Sequence, residues 1–191
     1  MGRRGLSAPY TARYASQSRA EGGGGDYGPN SGGYDHHGFG TLTAIRDKGT
    51  ITAGVYTFTN EYSGKNLDNG STSSEGARTM QWTANSGADS QRWRLTDAGN
   101  GHWTVTSLYS GKCLDNGNTT IEGGNVVQWT ANGGNAQQWT VSDAGNGCYT
   151  LVSRMSGKGL DNGSGTADGA GCVQWAVNRG TPQRWRAVKV G

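Results

Sequence analysis

At 191 residues the chain has room for one or two domains. Leu, Ile, Val and Phe supply only 23 residues, but seven Trp and eight Tyr supply large rings that anchor a small core, and a net charge of +3 is too low for a charge-driven disordered chain. The 35 Gly lack the every-third-residue period of collagen, and no apolar run approaches the ~18 residues of a membrane helix.

Residues 1–50 are rich in Gly, Ser and Tyr, include Gly22 to Gly25, and show no hydrophobic period. They read as a flexible leader or linker, with Thr41–Ile45 as a candidate strand. Arg3 and Arg4 are followed by Gly5-Leu6-Ser7-Ala8-Pro9, which is no apolar signal core, so neither a Sec nor a twin-arginine signal is read. The Arg-rich, acid-poor first residues faintly resemble a transit peptide, but a fragment of an upstream domain or linker is preferred. Asp35-His36-His37 is read as a solvated loop, because adjacent residues rarely present both side chains to one metal ion.

From Val55 onward one unit occurs three times. Ser63-Gly64-Lys65, Ser110-Gly111-Lys112 and Ser156-Gly157-Lys158 each precede, after one variable residue, Leu67-Asp68-Asn69, Leu114-Asp115-Asn116 and Leu160-Asp161-Asn162. A Gln-Trp pair follows in each unit (Gln81-Trp82, Gln128-Trp129, Gln174-Trp175), then a Gln-x-Trp (Gln91 to Trp93, Gln137 to Trp139, Gln183 to Trp185). The repeats run over about 55–101, 102–147 and 148–191, each opening on an aromatic: Tyr56, Trp103 or Tyr149.

Within a unit, short β-forming runs alternate with polar turns, as in Trp103–Ser107, Lys112–Asp115, Val126–Trp129 and Gln138–Val141, giving four strands per unit. Asn-Gly in Asp97–Gly101 and Asp143–Gly147 predicts tight hairpins between units. Three copies are too few for a propeller, and full end repeats argue against an open solenoid. A closed threefold barrel remains. The three cysteines, Cys113, Cys148 and Cys172, form no C-x-x-C pair, which argues against a zinc ribbon and leaves either one bridge with a free thiol or three unpaired thiols.

The triplicated Leu-Asp-Asn, Gln-Trp and Gln-x-Trp set resembles the ricin-type β-trefoil lectins and the related family 13 carbohydrate-binding modules. The resemblance implies an all-β fold, a β-trefoil of three ~46-residue four-stranded repeats over residues 51–191, with up to three shallow sugar pockets. It also implies an extracellular setting, although no signal peptide is visible. Many members carry an intra-unit disulfide; here Cys113 occupies one half-position and Ala131 the other.

A neutral sugar offers vicinal hydroxyls and a face of C–H groups, so its site needs a fixed carboxylate or amide and an aromatic platform. By the resemblance, Asp68, Asp115 and Asp161 are the hydroxyl acceptors; as an alternative, each caps its own turn as an Asx-turn. Trp82, Trp129 and Trp175 match the platform position, against a core alternative, whereas Trp93, Trp139 and Trp185 resemble the internal hydrophobic triad. Asn85, Asn132 and Asn178, and Gln91, Gln137 and Gln183, are the candidate amides, with turn formation and backbone bonding as their alternatives. Ser90, Ala136 and Pro182 stand where many ricin-type sites have Asn, which leaves galactose, arabinose and xylose-type ligands open. Asn135 is a substitute in the second unit, whose motif is the fullest.

No catalytic residue, cofactor or metal is assigned, because three equivalent Asp cannot divide acid and base roles. The chain is read as no enzyme itself, with a module of a larger secreted glycoside hydrolase as one setting. The repeat region carries 11 Lys and Arg against 10 Asp and Glu, so no nucleic-acid footprint is expected. The expected function is a lectin or polysaccharide-targeting module; the rival is a protein-interaction or inhibitor trefoil whose motifs serve folding alone.

Overall fold

The computed structural model divides the chain into residues 1–43 and 44–191, and describes residues 50–190. The leader before Thr50, with the candidate strand Thr41–Ile45 and the Asp35-His36-His37 run, lies outside the described residues.

Each repeat forms four strands. They are β1 (Gly54–Asn60), β2 (Asn66–Asp68), β3 (Met80–Trp82) and β4 (Trp93–Gly99) in the first repeat, and β5 (His102–Ser107), β6 (Cys113–Asp115), β7 (Val127–Trp129) and β8 (Trp139–Gly145) in the second. The third has β9 (Cys148–Ser153), β10 (Gly159–Asp161), β11 (Val173–Trp175) and β12 (Trp185–Lys189). The first and last strands of each repeat close a six-stranded antiparallel ring in the order β1-β4-β5-β8-β9-β12 and back to β1. The inner pairs β2-β3, β6-β7 and β10-β11 are hairpins. Bridges Arg78 to Val127, Asn125 to Val173 and Met80 to Gly171 tie the hairpins in a cycle, each to the next repeat. This is the β-trefoil. Closure leaves the ring no edge strand.

The predicted hairpins are present. Asn100-Gly101 and Asn146-Gly147 all have positive φ, the backbone a tight two-residue hairpin turn requires. Two features were not anticipated. A single 3-10 turn precedes the last strand of every repeat (Asp89–Gln91, Asn135–Gln137, Thr181–Gln183). Ile51, ahead of the first strand, is buried in the core, and the Tyr56 hydroxyl donates to the Thr52 carbonyl beside it. All three thiols are free and buried; burial pushes Cys172 up to about 12, so it is no nucleophile at neutral pH.

Trp93, Trp139 and Trp185 are fully buried, and each indole N–H donates to the carbonyl of its own repeat's motif leucine, Leu67, Leu114 or Leu160, at 2.9–3.0 Å. The Gln-x-Trp aromatics therefore form the internal triad and also satisfy a buried carbonyl. Around them pack Phe58, Leu95, Val105, Leu151 and the three motif leucines.

The remaining motif residues form a polar ring between repeats. Gln128 Oε1 accepts from Ser110 Oγ of its own repeat (2.7 Å) and from Asn69 Nδ2 of the first (3.1 Å). Gln174 does the same with Ser156 and Asn116, and Gln81 with Ser63 and Asn162. The Gln of Gln-Trp, the Asn of Leu-Asp-Asn and the Ser of Ser-Gly-Lys are thus one hydrogen-bonded unit, used three times to join neighbouring lobes.

Candidate functional site

The pleat of the inner hairpins decides which motif residues face outward. Asn66 pairs with Trp82, Leu67 with Gln81 and Asp68 with Met80. Side chains alternate faces along a strand, so Leu67 and Gln81 point inward while Asp68 and Trp82 share the opposite face. The same register holds for Leu114, Asp115 and Trp129, and for Leu160, Asp161 and Trp175.

Each outward face carries a cavity. The second repeat's, about 740 Å³, is lined by Asp115, Trp129, Asn132, Asn135 and Ala136 among others. The first, about 530 Å³, has Asp68, Trp82, Asn85, Ser90 and Gln91. The third, about 380 Å³, has Asp161, Trp175, Asn178 and Pro182. Trp82, Trp129 and Trp175 are 43–46% exposed, which disposes of the core alternative for them. The three Asp are only 5–7% exposed and form the cavity floors.

At each floor one carboxylate oxygen closes an Asx-turn: Oδ1 of Asp68, Asp115 and Asp161 accepts from the N–H of Gly70, Gly117 and Gly163 at 2.7–2.8 Å. The turn role and the cavity position therefore coexist. The second oxygen separates the lobes. Asp68 Oδ2 accepts from Ser90 Oγ (3.2 Å) and Gln91 Nε2 (3.0 Å). Ala136 and Pro182 offer no hydroxyl at the place of Ser90, and Oδ2 of Asp115 and of Asp161 receives no hydrogen bond among the described residues.

The glutamines need correcting. Gln91, Gln137 and Gln183 are 1% exposed, and their amides are spent on the loop after the platform Trp. Gln137 Oε1 accepts from Asn132 N and its Nε2 donates to Thr130 O; Gln183 holds Asn178 N and Ala176 O, and Gln91 holds Asn85 N and Thr83 O. Burial and backbone bonding make all three loop clips; Gln91 also lines the first cavity, where its Nε2 donates to Asp68 Oδ2. Asn85, Asn132 and Asn178 are exposed on that loop; Oδ1 of Asn132 and of Asn178 caps Gly134 N and Gly180 N, and their Nδ2 donors have no hydrogen-bond partner among the described residues.

Sequence reasoning missed a second set of residues at the back of each platform. The acids Glu75, Glu122 and Asp168 reach from one repeat to the loop after the Trp of the next. Glu75 accepts from Thr130 N and Oγ1 and pairs with Lys112. Asp168 accepts from Thr83 N (2.6 Å) and pairs with Lys65 (2.7 Å). Glu122 accepts from Ala176 N (3.1 Å), with Lys158 at 3.7 Å. The glycine after each acid abuts the platform: a Cβ on Gly76 would stand 3.0 Å from the Trp129 ring, on Gly123 3.3 Å from Trp175, and on Gly169 3.5 Å from Trp82. Gly76 lines the second repeat's cavity and Gly123 the third's, so neighbouring repeats help to wall those two. The triplicated Lys of Ser-Gly-Lys, set against an acid-Gly step in each unit, was the available signal.

The Lys112 ammonium and the Thr130 N–H hold the Glu75 carboxyl below its usual value, and Lys65 does the same for Asp168. A depressed carboxylate contributes stability that is complete above its unfolded value and is lost as pH falls through the folded one. Thermal midpoints of Glu75→Gln are therefore expected to fall below those of the unaltered chain at about pH 6 and to converge with them as acidification protonates the lowered Glu75 carboxyl. The difference is modest because the pair is solvent-screened. Parallel midpoint curves across that range would contradict the clamp.

Among the described residues no helix is long and apolar enough to cross a membrane, and no group of His, Cys, Asp and Glu is arranged to hold a metal ion.

A family model described as a ricin-type β-trefoil lectin domain-like family matches residues 43–129, 116–175 and 135–191. Among solved structures, the chain is 41% identical to the designed threefold-symmetric protein ThreeFoil (TM-score 0.68), covering 71% of this chain and 99% of that one. It is 38% identical to an exo-β-1,3-galactanase from Clostridium thermocellum (TM-score 0.67), over 72% of this chain but only 30% of the enzyme. The Rhizoctonia solani agglutinin, 24% identical over 74% of this chain and 98% of its own, shares the fold with a TM-score of 0.67. No curated protein matches the chain.

Proposed function

We propose that this chain, which belongs to the ricin-type β-trefoil lectin-like family, binds carbohydrate through the three outward cavities of its inner hairpins. The observation that carries the proposal is the pairing, on one hairpin face in every repeat, of a floor carboxylate with an exposed indole. A carboxylate oxygen accepts hydroxyl protons in charge-assisted bonds, roughly twice as strong as neutral ones. The indole face offers a flat apolar surface to sugar C–H groups. The Nδ2 donors of Asn132 and Asn178, and the exposed Asn85 amide, complete the set of acceptor, platform and donor.

The lobes are unequal in this scheme. Oδ2 of Asp115 and of Asp161 is open to a ligand hydroxyl, whereas Asp68 Oδ2 already accepts two protein donors. We rank the second repeat first, on its open oxygen and its larger cavity. Three weak sites on one rigid body hold a polymer by effective concentration rather than by single-site affinity. A polysaccharide or glycan-coated surface is therefore the proposed target, with galactose, arabinose or xylose as the terminal sugar. Support comes from similarity to a galactanase, an enzyme of which this chain spans a minor part. The chain's own proposed role is targeting, without catalysis.

The test is a glycan array probed with the full chain. Binding to galactose-, arabinose- or xylose-containing glycans, competed by the free sugar, is the expected result. An array blank for all glycans, beside capture of a fully deglycosylated protein, would favour the interaction-trefoil reading instead.

A further inference from the structure

Among the described residues nine large apolar side chains are markedly exposed, and six of them fall on just two repeat positions. Isolated exposed apolar residues are ordinary, but recurrence at symmetry-equivalent places marks a surface with a use. The first position is the platform Trp. The second is the residue before Ser-Gly-Lys: Tyr62 (49% exposed), Tyr109 (50%) and Met155 (36%).

The backbone fixes where that second position stands. Leu108 N donates to Arg92 O, Arg154 N to Gln138 O and Glu61 N to Arg184 O, at 2.8–2.9 Å. Each acceptor directly follows the 3-10 turn of another repeat, and those turns carry the cavity residues Ser90, Ala136 and Pro182. Met155 lines the second repeat's cavity with Asp115 and Trp129. The equivalent docking brings the Tyr109 loop to the turn that carries Ser90 and the Tyr62 loop to the turn that carries Pro182, with neither ring lining the cavity itself. The loop itself is held: Gly64, Gly111 and Gly157 N–H groups donate to Asn60, Ser107 and Ser153 carbonyls at 2.8–2.9 Å.

We propose that Tyr109 and Tyr62 form a second subsite, across the repeat boundary from the platform Trp, which takes the next residue of an oligosaccharide chain. This rests on the carbohydrate reading above and narrows it to a ligand class: chains of at least two sugars at the first and third repeats. A Tyr presents a flat apolar face and a hydroxyl, which suits the C–H face and the hydroxyls of a following sugar ring. Met155 offers a flexible thioether without a plane, so the second repeat discriminates chain length least. The first repeat, whose Asp68 is partly satisfied by Ser90 and Gln91, gains most from the added contact.

The experiment uses full-length single-site chains. Asp115→Asn with Asp161→Asn leaves the first site, and Asp68→Asn with Asp161→Asn leaves the second; Asn retains the Oδ1 that closes each turn. Calorimetric titrations compare galactose with β-1,3-galactotriose, arabinose with α-1,5-arabinotriose, and xylose with xylotriose, with circular dichroism verifying the fold. At the first site the trisaccharide is expected to bind about fivefold or more tightly than its monosaccharide, and Tyr109→Ala to bring that ratio close to one. At the second site the ratio is small, and Met155→Tyr raises it. Equal weakening of both lengths by Tyr109→Ala, or no preference for length at the first site, overturns the subsite while leaving the primary sites standing. Absence of binding by all six sugars to the unaltered chain overturns the carbohydrate reading itself, and the subsite with it.

Discussion

Replacing Asp68, Asp115 and Asp161 together by Asn is expected to abolish retention of the chain on a polysaccharide column while leaving its thermal midpoint within a few degrees of the starting value. The choice of Asn follows from the geometry. Each Asp spends Oδ1 on the N–H of the glycine two residues on. Asn keeps that acceptor and removes only the charge and the second carboxylate oxygen. The triple Ala variant loses binding as well, but it also strips three Asx-turns. A lost bond of this kind costs on the order of 1 kcal/mol, and distant sites add, so its midpoint is expected to drop clearly. Column retention by the triple Asn variant would remove these carboxylates from the binding account. A collapse of its fold would mean that the charge, not the turn, is what the hairpins need.

The second large effect concerns the ring of amides that joins the lobes. Gln128→Leu removes the acceptor of Ser110 Oγ and Asn69 Nδ2 and the donor to the carbonyls of Thr72 and Ser74. Gln128 is fully buried, so its partners lose hydrogen bonds with little access to water. At about 1–3 kcal/mol for each buried group left unsatisfied, a loss of about 3–6 kcal/mol is expected in urea denaturation. Against a typical domain stability of about 5–15 kcal/mol, that is a large share. A loss under about 1 kcal/mol would show that the ring is not what holds neighbouring repeats together.

The architecture was largely legible because its signals are local or periodic. The 46- to 47-residue spacing of Leu-Asp-Asn, the Asn-Gly turns and the triplicate Trp all follow from chain order, and the strands appear where β-formers lie between polar turns. The split of Trp into core and surface follows from pleat parity, since Gln128 pairs with Leu114 while Trp129 sits one residue on.

What stayed hidden depends on contacts between repeats. Glu75 and Lys112 are 37 residues apart and meet only after the hairpins assemble around the axis. Chemistry varies within that position too, with Glu75, Glu122 and Asp168 doing one job at two side-chain lengths. The glutamines of Gln-x-Trp looked available because a polar residue between turns usually faces water; the 3-10 turn that buries them has no strong sequence signature at three residues. The occupation of Asp68 Oδ2 turns on a single hydroxyl, Ser90, visible as a departure from the motif but without direction until placed in space. Ile51 breaks the symmetry altogether: it belongs to no repeat and still enters the core.

The most direct measurement follows the seven indole N–H resonances while the full chain is titrated in turn with galactose, arabinose and xylose. With at least one of these sugars, the resonances of Trp82, Trp129 and Trp175 are predicted to shift in a saturable way while those of Trp93, Trp139 and Trp185 stay fixed. Saturable shifts confined to the buried indoles, or none at the three exposed ones with any of the sugars, would contradict the account.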